Sequence, residues 1–161
     1  MLFHKLYNFI TWIWYRIFHV PIRLKVACDT KTKQPKLTVI FLHGISATSN
    51  TWKTTFKQFA RTPELKAVRL ISLDLLGFGK SLRADWLDYD EALDRTIKAL
   101  KIDTPVVLVG HSMGSLIAAD YAANFEHSAT LSRLILVSPP ILMPEELAKL
   151  PDKAYIKSYG S

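Results

Sequence analysis

The stretch Gly110-His111-Ser112-Met113-Gly114 places a hydroxyl between two glycines, after the β-branched run TPVVLVG and before the small-residue run SMGSLIAADYAANF. A serine hydroxyl attacks a carbonyl only when a base removes its proton. Set at a sharp strand-to-helix turn, with glycines two before and two after, it matches the G-x-S-x-G pattern that exposes a nucleophile at the tip of the turn. Gly110 and Gly114 leave room for the backbone to fold tightly. The helix after the turn points its positive N-terminus at any oxyanion formed there. His111 adjoins the serine, but alternation along the strand turns its side chain away. The bland alternative is a glycine-rich turn without chemistry.

An attacked carbonyl needs two backbone N–H groups to hold the developing charge. Met113, the residue after the serine, supplies one. The second is expected from Ile45 in FLHGISATS, where His43 and Gly44 close a strand and order the loop. A third segment, DLLGFGKS, ends in Gly79-Lys80-Ser81 and invites comparison with a phosphate-binding loop. That loop needs a glycine five positions before the Gly-Lys pair. Position 74 is Asp, so no nucleotide site is expected. Asp74 instead ends a strand, and Gly77 and Gly79 shape a turn beside the pocket.

The elements that must position these residues follow from periodicity. Residues 22–28 alternate as a strand, and DTKTKQPK is a polar turn. Residues 37–43, 67–75 and 104–110 are apolar runs, as expected of strands buried on both faces, and 131–140 is a last strand stopped by two prolines. Between them lie helical patterns: TWKTTFKQFAR, with Trp52, Phe56 and Phe59 on one side and Ser49 or Asn50 as a cap; YDEALDRTIKALKI, with Ala92, Leu93, Ile97 and Leu100 facing in; and the segment after Ser112. Alternation of strands and helices implies a mostly parallel sheet with helices on both faces. Active sites in such sheets sit beyond the carboxyl ends of the strands.

The first twenty residues differ in period. Phe3, Leu6, Ile10, Ile13 and Ile17 follow helical spacing, with His4, Lys5, Asn8, Tyr15, Arg16 and His19 on the other side, and Pro21 stops the helix. About 18 residues reach ~27 Å, but Asn8 and Arg16 are costly at membrane depth. Trp12, Trp14 and Tyr15 prefer the headgroup level. An amphipathic helix packed on the domain or lying on a membrane is therefore favoured over a span or a signal peptide.

The 161 residues suffice for one domain with a real core. The net charge of +7 is uneven, with 12 Lys/Arg against two acids in residues 1–70. No nucleic-acid module accompanies this basic front, so nucleic acid is not an expected partner; solubility or contact with anionic lipid is. The single cysteine, Cys28, cannot form an internal disulfide and is expected to be a buried small hydrophobe. A cytoplasmic location, with membrane association through residues 1–20, fits these features.

LHGIS, DLLGFGKS, VGHSMGS and LILVSPP, in this order over about residues 22–140, resemble the strand ends of the α/β-hydrolase superfamily, in its serine-type esterase and lipase branch. The resemblance implies that Ser112 is the nucleophile, that Ile45 and Met113 form the oxyanion hole, and that the substrate is a small-molecule ester or similar acyl compound. It implies no metal and no organic cofactor. Serine at the turn argues against haloalkane dehalogenase or epoxide hydrolase chemistry. It also implies a division into an N-terminal helix (1–20), a partial hydrolase core (21–140) and the start of a cap (141–161), with the sheet stopping after its sixth strand.

In that superfamily the acid and histidine follow the serine. Neither is evident here. His4 and His19 belong to the first helix, His43 to the loop, and His127 lies a helix length from Ser112, ~20 Å away. Glu145, Glu146 and Asp152 follow the last strand; Glu145 is the acid best placed in chain order. The chain is thus expected to lack its base, and a non-catalytic hydrolase-like binding protein at a membrane surface is the rival reading.

Overall fold

The computed structural model describes residues 2–18, 21–124 and 131–140. Helix α1 spans Leu2–Phe18. Five strands follow: β1 (Lys25–Asp29), β2 (Leu37–Leu42), β3 (Val68–Asp74), β4 (Val106–His111) and β5 (Leu131–Val137). Helices α2 (Lys53–Arg61), α3 (Tyr89–Leu100) and α4 (Met113–Asn124) connect them. The strand order is β1-β3-β2-β4-β5, with β1 antiparallel to β3 and every other pair parallel. The last strand of the resemblance, in LILVSPP, is present as β5, the final strand among the described residues. The cap expected at 141–161 lies outside them.

Why these segments become strands is visible in their burial. β2 and β4 lie inside the sheet and are covered on both faces, so their apolar runs have no polar alternation. One face packs Ile40, Leu42, Ile71, Leu73 and Leu108 against Ala92 and Leu93 of α3 and Ile117 and Ala118 of α4. The other packs Val39, Phe41, Leu70, Val107 and Val109 against Trp52, with Phe56 and Phe59 of α2 at its margin. Helices therefore cover both faces, as the alternation implied. Burying one such side chain stabilises by about 1.5–3 kcal/mol.

Two local expectations are corrected. Cys28 is exposed. The pairing of β1 with β3 shifts register between Val26 and Cys28. A bulge there upsets the inward–outward alternation on which the buried expectation relied. The cap before α2 is neither Ser49 nor Asn50. A short 3-10 turn, Ser49–Trp52, precedes the helix and is capped by Thr48, whose hydroxyl accepts the Asn50 N–H at 3.3 Å. Ser49 is committed elsewhere, to Asp74.

Candidate active site

β2, β3 and β4 run parallel, so His43, Asp74 and Ser112 all lie at the carboxyl end of the sheet. Ser112 joins the end of β4 to the start of α4 with φ +51°, a left-handed conformation costly for a residue bearing a Cβ. Its surroundings fix this bend. The Ser112 N–H donates to the Val137 carbonyl at 2.9 Å, and its carbonyl accepts the Ser115 N–H at 2.8 Å. The buried Ser115 hydroxyl lies 2.9 Å from the Gly110 carbonyl and 3.1 Å from that of Val137, sharing one proton between them.

The two glycines of the motif are required by contact. A Cβ on Gly110 would lie 2.2 Å from the Gly114 carbonyl oxygen, and one on Gly114 would lie 2.6 Å from that of His43. The first turn of α4 thus rests directly on the backbone where β2 ends. Gly44 approaches from the opposite side: a Cβ there would stand 3.1 Å from both Ser112 Cβ and His111 Nδ1. Gly44 therefore lies alongside Ser112. Among the described residues the Ile45 N–H enters no backbone hydrogen bond.

His43 is fully buried and both its nitrogens are engaged. Nε2 accepts the Leu75 N–H at 3.0 Å. Nδ1 must therefore carry the proton, and it donates to the Gly44 carbonyl at 2.8 Å. Burial lowers the ring's pKa from its usual 6.5, against the raising influence of the Gly44 carbonyl and the Asp74 charge. This histidine ties the end of β2 to the end of β3 and has no free lone pair for Ser112.

Asp74 is the second anchor. Burial would raise its carboxyl, but the Ser49 N–H (2.9 Å) and hydroxyl (2.7 Å), the Lys80 N–H (3.0 Å) and the His43 ring outweigh burial and hold it below the usual 3.8. Its backbone carbonyl accepts the Ser81 hydroxyl, whose oxygen accepts the Lys25 N–H. Gly79, at φ +54°, comes so close that a Cβ would meet Asp74 Oδ2 at 2.2 Å. A cavity of about 590 Å³ opens on this side, lined by Cys28, Ser49, Trp52, Phe56 and Asp74 among others, but not by Ser112.

His111 follows strand alternation onto the α2 face, where its ring meets Trp52 edge-on with centroids 6.4 Å apart. Its Nδ1 and the Trp52 Nε1 are buried without hydrogen-bond partners among the described residues. No imidazole among the described residues is bonded to Ser112. The side chain of His4, with His19, His127, Glu145, Glu146 and Asp152, lies outside those residues. Sequence reasoning did not single out Ser49 or Ser115 as supports of the site. Ser115 had a signal, since it directly follows the five-residue motif; Ser49 had none beyond its place in the loop.

Comparison with known proteins follows this geometry. A family model described as alpha/beta hydrolase fold matches residues 38–159. A probable lysophospholipase, BODYGUARD 4 of Arabidopsis thaliana, is 34% identical over 128 residues, covering 76% of this chain and 29% of that protein. Among solved structures, an esterase from Exiguobacterium antarcticum superposes with a TM-score of 0.58 at 26% identity, over 74% of this chain and 46% of its own. A membrane phospholipase A, described as a bacterial virulence factor, gives 0.56 at 26% identity, over 86% of this chain and 48% of its own. The chain thus spans less than half the length of each. It belongs to the alpha/beta hydrolase fold family.

Proposed function

We propose that this chain carries the nucleophile and oxyanion site of a serine hydrolase acting on esters with an apolar acyl or alcohol group. The observation that supports this most is Ser112 itself. It is held at a positive φ on the N-terminus of α4, with Gly44 alongside. Ser112 Oγ would attack the ester carbonyl carbon while a base takes its proton. The carbonyl oxygen becomes an oxyanion, stabilised by the N–H groups of Ile45 and Met113 and by the helix terminus. Collapse expels the alcohol, which receives that proton, and leaves an acyl-enzyme. Water then attacks the acyl carbon, regenerating Ser112 and releasing the acid.

His43, Gly44, Asp74, Gly110, His111 and Gly114 support this arrangement and do not act on the substrate. The base is proposed to come from outside the described residues, because His43 is doubly bonded and His111 turns to the α2 face. General-base help is worth roughly 10²–10⁴ in rate. A lipid ester suits the relatives, whose names include a probable lysophospholipase and a membrane phospholipase A.

A fluorophosphonate probe tests the reading. Labelling at Ser112, lost in Ser112→Ala, supports it. A folded polypeptide carrying all its elements that is not labelled supports the rival, a binding protein on a hydrolase frame. That rival draws on the absence of an imidazole bonded to Ser112 among the described residues.

A further inference from the structure

Helix α1 is attached by its polar side. Asn8 Nδ2 donates to Asp85 Oδ2 at 2.9 Å, Thr11 Oγ1 accepts the Trp86 indole N–H at 3.4 Å, and the Tyr15 hydroxyl accepts from Arg95. The Tyr15 and Trp86 rings pack with centroids 5.2 Å apart, and the Arg95 guanidinium lies over the Tyr15 ring. Residues 8, 11 and 15 share one helical face. The opposite face carries Phe3, Leu6, Ile10 and Ile17, all exposed; Phe3 is 87% and Ile17 63% accessible. Tyr7, Trp14 and Phe18 flank this stripe on one side. Lys5, Trp12 and Arg16 flank it on the other, with the Arg16 guanidinium 5.8 Å from the Trp12 ring centre. A surface helix normally buries its apolar stripe against the core. This one does the reverse.

We infer that α1 lies in the surface of an anionic lipid bilayer, with the Phe3–Leu6–Ile10–Ile17 stripe among the acyl chains and Lys5 and Arg16 at the headgroups. Two observations select lipid over other occupants. Every charge on α1 is positive, and the segment after it adds Arg23 and Lys25 before the first acid, Asp29. A second copy would bring like charges together, whereas an anionic headgroup layer complements them. Tryptophan and tyrosine border the stripe, the side chains that prefer the headgroup level. Among the described residues no helix is long and apolar enough to cross a membrane.

The attachment also gives direction. Asp85 and Trp86 belong to the segment leaving the carboxyl end of β3, the end of the sheet that bears Ser112. The helix therefore tethers that end to the lipid surface, where acyl esters reside. This last step rests on the proposed role of Ser112; lipid binding does not.

The test is co-sedimentation of the full chain with vesicles of phosphatidylcholine, with and without phosphatidylglycerol. Binding is expected to be about tenfold tighter with phosphatidylglycerol and to weaken with salt. Lys5→Gln with Arg16→Gln should remove that preference. Ile10→Asp with Ile17→Asp should reduce binding about 100-fold on both vesicles, and circular dichroism should show the chain still folded, since both positions face solvent. Ser112→Ala should bind as well as the unaltered chain, so a failure of the serine assignment is read separately by the fluorophosphonate probe. The inference is overturned if the full chain does not sediment, if the Asp pair binds unchanged, if pelleting resists carbonate, or if the Asp pair instead dissolves a dimer in the absence of lipid.

Discussion

Two neighbouring strand ends treat their polar groups in opposite ways. After β2, His43 has a partner on each nitrogen, and beside it Asp74 gathers three donors. After β4, Ser112 sits in a left-handed bend and His111 buries an Nδ1 without a partner among the described residues. A buried polar group left unpaired costs about 1–3 kcal/mol, and a strained backbone about 1–3 kcal/mol. The first region is a cross-link that recovers the cost of its burial. The second holds unfavourable geometry in place with its surroundings. Strain kept in this way is the feature on which the proposed role of Ser112 draws.

The largest break in this contrast comes from Gly110→Ala. Its methyl group would overlap the Gly114 backbone, which has nowhere to go. A loss of about 4 kcal/mol or more, seen as little folded protein in a urea titration, is expected. Gly44→Ala, with 3.1 Å of clearance, should cost about 1 kcal/mol and slow fluorophosphonate labelling by crowding Ser112. If the two variants were equally stable, the close approach of α4 to β4 would not be what shapes the bend.

Next comes His43. Replacement by Phe leaves the Leu75 N–H and the Gly44 carbonyl unpaired and should cost about 3 kcal/mol. His43→Gln retains one donor and one acceptor and should cost less. The pair also separates by pH. Burial keeps the folded ring neutral below 6.5, while the unfolded chain takes up a proton there. The stability contributed by this depressed group is therefore full above 6.5 and is lost as pH falls from 6.5 toward the folded value. His43→Gln should remove that loss.

A second loss begins near 3.8 and should persist in that variant. Asp29, where Arg69 and Lys31 outweigh burial, and Asp74 are both held below their usual value. Their stability is full above 3.8 and is lost as pH falls through the folded values. Melting temperature from about pH 8 to about pH 3 reads the first step and the onset of the second.

The smallest effects concern the strained region. Ser112→Gly relieves the positive φ and should raise stability by about 1 kcal/mol while abolishing labelling. His111→Phe removes a buried nitrogen that has no partner among the described residues and should change stability by less than about 1 kcal/mol in either direction. A large loss in either variant would mean that this end of β4 is a cross-link like the other.

Much of the frame was readable from residue order. Strands buried on both faces need unbroken apolar runs, and those runs marked β2, β3 and β4 to within a few residues; β5, also marked by its apolar run, lies exposed at the edge of the described sheet. Ser112, Gly110 and Gly114 were readable because a tight bend admits few alternatives. What escaped was set by tertiary contact. Nothing near Ser49 reveals that it serves Asp74, 25 residues on. The bulge that exposes Cys28 arises only when β1 meets β3. The amphipathic pattern of α1 was plain, but periodicity does not tell which face meets the protein.

The bend at Ser112 leans on Val137, whose carbonyl accepts both its N–H and the Ser115 hydroxyl. That partner is made later on the ribosome than the serine, and it arrives through a parallel strand pairing distant in sequence, which forms slowly. A growing chain that has emerged only as far as α4 therefore lacks the contact that sets the hydroxyl in place. Synthesis itself delays this bend: the Ser112 backbone gains its Val137 partner only after β5 has docked.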